Sequence, residues 1–572
     1  MKTKNLFLEL KSQFHRHNYV NFTLAIAGSL LSGTMCMGIS WLTGELIDAA
    51  SGNGSLGLKE LLWIFLALAA FFLFASFLNW YAKPAYIKKA MQNYKGLLFK
   101  KLTEKNITSF RTESTASYLS ALTNDCNSIE LNYLDKEFWL IYRMSSFFCA
   151  LALMLYYSPL LTGIAIGITF IPLLVSILSG SKLAAKEVAV SEGNMSFTAI
   201  VNDCLNGFST VKIFRAEKAV ADMFSKENSK LEDSKFKRSR LRILIDTLAQ
   251  FSGMFAQVTV FFAGAYLAIS GKGLTAGNVI MFVNLMNFIV APVAELPGLL
   301  AAKKAAVALI EKVAKDLEKS SYSGGTTELS GLEKGISLKN VSFSYEEGQE
   351  ILHDISVDFE AGKSYAIVGS SGSGKSTLLN LILSGACGSD YSGEIFWDDT
   401  DLKDSSSDSL FGQVESIQQN VFLFNSSIKD NITMFRDFSE EKVEEAVTKA
   451  HLTDLINERG SDYLCGESGK GLSGGEKQRI SIARSLLKDS SLLLADEITA
   501  ALDAQTAHRV SSDILDLGGI TRIVVTHSLE ENLMKRYDKI LVMRNGRIEE
   551  EGTFDELIEK KGYFHALFTV EV

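Results

Sequence analysis

The chain has 572 residues, 47% apolar and 22% charged, enough for roughly four globular domains and too apolar for a disordered tail. Its charge is divided: residues 1–320 carry 33 Lys and Arg against 23 Asp and Glu, while residues 321–572 carry 24 against 43, an acidic half that argues against broad electrostatic binding to nucleic acid. Glycine shows no fixed period, which excludes collagen and solenoid arrays, and Cys36, Cys126, Cys149, Cys204, Cys387 and Cys465 lie too far apart in sequence to signal a disulfide framework or a zinc site.

Stretches free of Asp, Glu, Lys, Arg and His occupy 18–44, 61–82, 144–181, 247–271 and 273–294, and about 20 apolar residues cross the hydrocarbon core of a membrane. The run 144–181 is interrupted at Tyr156-Tyr157-Ser158-Pro159, where proline cannot continue a helix, so it reads as two spans and the total as six. Ahead of them, Leu6, Leu10 and Phe14 share a helical face, which suits either a helix lying along the membrane surface or an extension of the first span. A secretory signal is a poor reading, because the first apolar run is too long and Glu9 sits in what would be the basic region.

With six spans the outer loops fall near 45–60, 156–160 and 269–277 and hold only Lys59 and Lys272 of the 33 basic residues. Positive charge is retained on the cytoplasmic side, so both termini are expected there. The long inner segments 95–135 and 186–240 mix apolar residues at helical spacing with charge and contain no proline, which predicts helical extensions of the spans into the cytoplasm. Thr115–Leu122 and Met195–Ile200 are candidate docking helices at their turns, the alternative being a plain solvated hairpin. Arg143 lies about 14 residues before the Tyr157 turn, roughly 21 Å along a helix and so within the inner leaflet, and Glu295 stands between Pro292 and Pro297 near the inner end of the last span; both are candidate cavity residues, against the alternative of interfacial groups that snorkel or pair between helices.

Ser320–Thr327 has linker composition, placing a membrane domain at 1–318, a linker at 319–334 and a cytoplasmic α/β domain at 335–572. In that domain Ser364–Val368 reads as a strand, Leu378–Leu383 as a helix, and between them stand Gly369, Ser370, Ser371, Gly372, Ser373, Gly374, Lys375, Ser376 and Thr377. This is a phosphate loop in its required context: the glycines let backbone N–H groups face phosphates, Lys375 reaches the β- and γ-phosphates, and Ser376 suits Mg²⁺. A second apolar strand ends in Asp496, expected on the Mg²⁺ side, and Glu497, expected to polarise the attacking water; a third delivers His527, expected at the γ-phosphate.

Just upstream of the second strand, Leu472-Ser473-Gly474-Gly475-Glu476-Lys477-Gln478-Arg479 resembles the signature of ATP-binding cassette (ABC) proteins, with Glu476 where that family usually has Gln. The remaining family segments stand in order: Tyr345, Gln419 within Gln418-Gln419-Asn420, Gly466–Gly469, and Ala501-Leu502-Asp503. With six spans ahead, the chain resembles a half-size ABC exporter over essentially its whole length. The resemblance implies an ATPase using ATP and Mg²⁺, with Tyr345 stacking on adenine, Gln419 beside the metal, and a second half-transporter, the homodimer favoured. Ser473 and Gly475 would complete the ATP site of the opposite cassette, and Asp503 would lie at the dimer contact. It further implies that 115–122 and 195–200 are coupling helices, and that the chain resides in a lipid membrane, the bacterial cytoplasmic membrane, exporting a substrate whose identity is open. A competent half of a heterodimer, or an importer or channel on the same fold, are the alternatives; a soluble cassette ATPase is excluded by the spans.

Overall fold

The computed structural model describes residues 2–105, 110, 115–271, 273–318, 325–344, 350–387, 391–418, 421–488, 490–499 and 502–571. The chain divides into two compact units, Met1–Glu104 with Ser114–Glu318, and Lys105–Glu113 with Lys319–Val572.

The first unit is helical: α1 (Lys2–Ser12), α2 (Tyr19–Ala50), α3 (Leu58–Thr103), α4 (Ser117–Tyr157), α5 (Pro159–Asn206), α6 (Phe208–Ile213), α7 (Glu217–Ile269) and α8 (Ala276–Glu318). Among the described residues α2, α3, α4, α7 and α8 are long and apolar enough to cross a membrane. The expected sixth span opens α5, whose apolar start Pro159–Phe170 is described, while the side chains of 171–181 lie outside the described residues. At 1.5 Å per residue the 46 residues of α3 extend about 69 Å, more than twice the ~30 Å hydrocarbon core, so the helix necessarily projects well beyond it. The α4–α5 turn forms as its sequence demands: Ser158 caps α5, accepting from the Leu161 amide at 3.3 Å, and Pro159 takes the first helical position, where no N–H is needed.

Three expectations about this unit change. The N-terminal segment is a helix of its own, separated from α2 by a turn in which His17 adopts φ 53°; Leu10 and Phe14 are fully buried, with Phe14 stacked on Tyr94 at 5.3 Å. Met195–Ile200 is not a separate docking helix: it lies inside the continuous α5, which ends only at Gly207, and the short helix at the turn is α6, beside which Phe208, Ile213 and Phe214 are exposed. Thr115–Leu122 likewise belongs to the first turns of the helical stretch that runs through α4. Finally, α2 continues through Ala50, so Asp48 stands in a helix and not in a loop. It is 7% exposed and accepts from Thr275 Oγ1 at 2.5 Å and from the Gly277 amide at 2.9 Å. A Cβ at Gly277 would lie 2.1 Å from the Gly44 carbonyl oxygen, so glycine is what lets α2 and α8 approach this closely.

The second unit holds two sheets. The smaller is antiparallel, in the order β2-β1-β4-β5, from β1 (Gly335–Ser344), β2 (Glu350–Glu360), β4 (Tyr391–Trp397) and β5 (Thr400–Asp401). The larger has the order β10-β9-β3-β8-β7-β6, from β3 (Ser364–Gly369), β6 (Val414–Ile417), β7 (Leu492–Asp496), β8 (Thr521–Val525), β9 (Lys539–Arg544) and β10 (Arg547–Gly552), parallel except for β10. Every residue of β3 is buried, as expected of a parallel strand covered on both faces. Residues 325–334, within the expected linker, are tied to this unit where the Thr327 amide donates to the Asp404 carbonyl at 3.1 Å. Because β3, β8 and β7 are parallel neighbours, their carboxyl ends open side by side, which is where ligands bind in such sheets.

Candidate functional site

At the end of β3 the chain turns through Gly369–Gly374 into helix α9 (Lys375–Ser384). Gly369 has φ 150° and a Cβ there would meet the Met543 carbonyl oxygen at 2.1 Å; Gly374 caps α9 at φ 101°. Both positions exclude other residues for backbone reasons. Lys375 is 4% exposed, and its ammonium donates to the loop's own Gly369 and Ser370 carbonyls at 2.9 and 3.0 Å. Burial lowers its pKa, with Glu497 and Asp496 opposing the shift. Ser371, Gly372 and Thr377 complete the loop and first turn, and the buried Ser373 hydroxyl has no partner among the described residues.

Beside it, the Ser376 hydroxyl donates to Asp496 Oδ1 at 3.0 Å. Burial raises the Asp496 pKa, partly offset by that hydrogen bond. Glu497 follows in the left-handed region at φ 50°, a conformation that costs a non-glycine residue energy and that clusters at functional sites. His527 Nε2 lies 2.7 Å from Glu497 Oε1. The structure therefore brings Lys375, Ser376, Asp496, Glu497 and His527 together at adjacent strand ends; Tyr345 and Gln419 lie outside the described residues. The hydroxyl of Ser376 and the carboxylate of Asp496 are hard oxygen donors that fit Mg²⁺.

One wall of the site was not evident from motifs. An open cleft of about 460 Å³ is lined by Gly369, Ser370, Thr526 and His527 on one side and by Tyr563, Ala566 and Leu567 on the other. The latter residues belong to α12 (Tyr563–Glu571), which follows, among other helices, α10 (Gly474–Leu486), preceded by the signature, and α11 (Ala504–Leu515). α12 is fixed by Glu550, which accepts from the Tyr563 and Phe564 amides at 3.0 and 2.9 Å. In sequence the only signal is an ordinary helical pattern after Gly562.

The signature forms the N-terminus of α10, with Leu472 buried just before it. Ser473 Oγ accepts from the Glu476 amide at 3.3 Å while Glu476 Oε2 accepts from the Ser473 amide at 2.6 Å, so Glu476 closes a capping box around Gly474 and Gly475. Either Glu or Gln closes this box, which accounts physically for the departure from the usual residue. Glu476→Gln is accordingly expected to leave ATP hydrolysis and thermal unfolding near the parent's, whereas Glu476→Ala should cost about 1 kcal/mol of helix capping, read as a lowered unfolding midpoint. Asp503 caps α11, accepting from the Thr506 amide at 3.0 Å, and this hydrogen bonding holds its carboxyl below the usual range.

In the helical unit, Arg143 and Glu295 are joined. Arg143 donates through Nε and Nη2 to the two Glu295 oxygens at 3.0 and 2.8 Å, Trp139 Nε1 donates to Glu295 Oε2 at 3.3 Å, and the guanidinium lies 4.6 Å from the Trp139 ring centre. The sequence placed these two residues near the spans separately; their pairing across α4 and α8 requires the fold.

Residues 22–293 match the family model described as ABC transporter transmembrane region, and residues 352–500 that described as ABC transporter. The chain belongs to the ABC transporter family. It is 30% identical over 478 residues to an uncharacterised ABC transporter ATP-binding protein of Bacillus subtilis (strain 168), covering 82% of each chain. It is also 30% identical to an ATP-dependent lipid A-core flippase of Photorhabdus laumondii subsp. laumondii, covering 92% of this chain and 91% of that one. A bacterial Atm1-family ABC exporter solved with ATP bound superposes with TM-score 0.83 at 22% identity, covering 96% of this chain and 99% of that one. The ABC transporter described here is thus a helical membrane domain of the exporter fold fused to an ATP-hydrolysing cassette, its hydrolysis coupled to transport.

Proposed function

We propose that this ABC transporter exports an amphipathic, lipid-like substrate, working as a dimer of two copies with both cassettes and both termini in the cytoplasm. The observation that carries the reading is the joining, in one chain, of apolar helices long enough to span a membrane with a complete set of Lys375, Asp496, Glu497 and His527 at adjacent strand ends. The relative in Photorhabdus laumondii, a lipid A-core flippase, supports a lipid-like substrate.

In this reading the loop 369–377 and Lys375 bind the ATP phosphates. Ser376 and Asp496 would hold Mg²⁺, which would neutralise phosphate charge. Glu497 takes the proton from the attacking water, and His527, 2.7 Å away, orients its carboxylate. Ser473 and Gly475 of one copy complete the site of the other. Closing and reopening of the paired cassettes drives the membrane helices between inward-facing and outward-facing arrangements.

The Arg143–Glu295 pair lies at inner-leaflet depth, where charge is costly unless paired or hydrated. It lines the inward-facing cavity, and an acidic group on the substrate displaces Glu295 from the guanidinium. Reconstituted into liposomes and offered lipids, amphipathic drugs and uncleaved peptides, the protein should show ATPase stimulation strongest for amphiphiles with an acidic head. Glu295→Gln should lower the concentration needed for half-stimulation and Arg143→Met should raise it, with basal hydrolysis little changed in either. Loss of folding in both variants, or equal stimulation of parent and variants, would contradict the cavity assignment.

A further inference from the structure

Where α5 and α7 leave the apolar runs, their sequences are unusually basic. Lys235–Arg242 contains Lys235, Lys237, Arg238, Arg240 and Arg242, with no acidic residue from 234 to 245, and Asp246 is the first to follow. On α5 the first charged residues after the apolar run are Lys182 and Lys186. This concentration stands out in a chain whose net charge is −9.

The helices pack side by side and run antiparallel, and one ion pair sets their register: Arg238 Nη1 donates to Glu187 Oε2 at 3.2 Å. Counting in opposite directions from that pair places Lys186 level with Ser239, Lys182 with Ile243 and Ser181 with Leu244. The apolar run of α5 ends at Ser181 and that of α7 begins at 247. Two independent sequence boundaries therefore mark the same height, within one helical turn, as the acyl surface.

Measured from the level of Ser181 and Leu244 at 1.5 Å per residue, Lys182 lies at about 2 Å, Arg242 at about 3 Å, Arg240 at about 6 Å and Lys186 at about 8 Å. Headgroups occupy about 5–8 Å on each side of the hydrocarbon core. All four residues are exposed, and among the described residues none of them forms an ion pair; Arg238 and Lys235, by contrast, are taken up by Glu187 and Glu232. Ile243 and Leu244, 65% and 56% exposed, stand at the acyl boundary directly beside the band. Basic groups with neighbouring apolar side chains at this depth match an anionic lipid and not a soluble acidic surface.

We infer that Lys182, Lys186, Arg240 and Arg242 form a binding band for the headgroups of anionic phospholipids at the cytoplasmic end of α5 and α7. The band is separate from the Arg143–Glu295 pair and does not depend on which substrate is moved. Retention of positive charge on the inner side requires basic residues somewhere on that side. It does not require four unpaired ones in register at headgroup height on two packed helices.

The test uses the full-length protein in nanodiscs of phosphatidylcholine with up to about one-third phosphatidylglycerol, with bound lipid counted by native mass spectrometry. Each basic residue near an anionic surface is worth about fivefold in affinity, so replacing all four by Gln should weaken phosphatidylglycerol retention by at least tenfold. Lys235→Gln with Lys237→Gln, which lie farther from the acyl boundary, should change it less than twofold. Retention by the parent should fall at high salt and survive inorganic phosphate, which separates a lipid headgroup from a free phosphate site. Should the fourfold variant fail to fold, the pairs Lys182→Gln/Lys186→Gln and Arg240→Gln/Arg242→Gln are each expected to lose part of the retention. Parent-like retention in these variants overturns the inference. So does loss of dimerisation in pure phosphatidylcholine, which would make the band a protein interface.

Discussion

Glu497→Gln should reduce ATP hydrolysis by at least ~100-fold while leaving ATP binding intact, because a positioned general base contributes on the order of 10²–10⁴-fold. The substitution keeps size and hydrogen-bonding capacity toward His527, which sits 2.7 Å from the Glu497 carboxylate, so the site should retain its shape. What it removes is the ability to accept a proton from water. Lys375 is held by the loop carbonyls and Ser376 by Asp496, so the groups that hold nucleotide keep these partners in the variant and its affinity should stay near the parent's. The protein should therefore accumulate with ATP bound and its cassettes closed, seen as ATP that is retained through gel filtration and not converted to ADP. Near-parent turnover in the purified variant would place the base elsewhere.

The second large effect concerns Ser473. Among the described residues its hydroxyl is engaged only as the cap of α10, so the loss from capping is modest, about 1 kcal/mol. A guanidinium at this exposed helix start would nonetheless stand where the proposed dimer admits the phosphates of the opposite ATP. Ser473→Arg is expected to bind ATP with nearly the parent's affinity and to hydrolyse it far more slowly, measured by equilibrium binding and steady-state turnover on one preparation. Equal loss of binding and hydrolysis would mean that Ser473 serves its own site, and unchanged hydrolysis would mean that it serves none.

Much of this molecule is legible in sequence because its signals are local. The apolar run lengths identify spans, and Gly369–Thr377 between an apolar strand and a helix identifies a phosphate loop without reference to anything distant. The same holds for Asp496-Glu497 and His527, whose strands are short, apolar and buried. What escapes is long-range. Arg143 and Glu295 lie 152 positions apart and meet only because α4 packs on α8. Asp48 follows Glu45 beyond the uncharged run and so reads as loop, yet its partners Thr275 and Gly277 give its carboxylate a buried place inside α2. The short helix at the α5–α7 turn, Phe208–Ile213, lies 13 residues beyond the expected Met195–Ile200, a segment that contains nothing that stops a helix, whereas Gly207 does. The wall that α12 lends to the nucleotide cleft depends on Glu550 holding that helix in place, a contact with no sequence spacing of its own.

ATP-driven movement of a substrate is tested most directly by one measurement. Parent and Glu497→Gln proteins are reconstituted side by side into liposomes containing a fluorescent lipid with an acidic head, and the transfer of that lipid between leaflets is followed on adding Mg²⁺ and ATP. Transfer by the parent is expected to require both additions and to be absent from the variant. Equal transfer by both proteins, or vigorous ATP hydrolysis by the parent that moves no amphiphile offered, would contradict it.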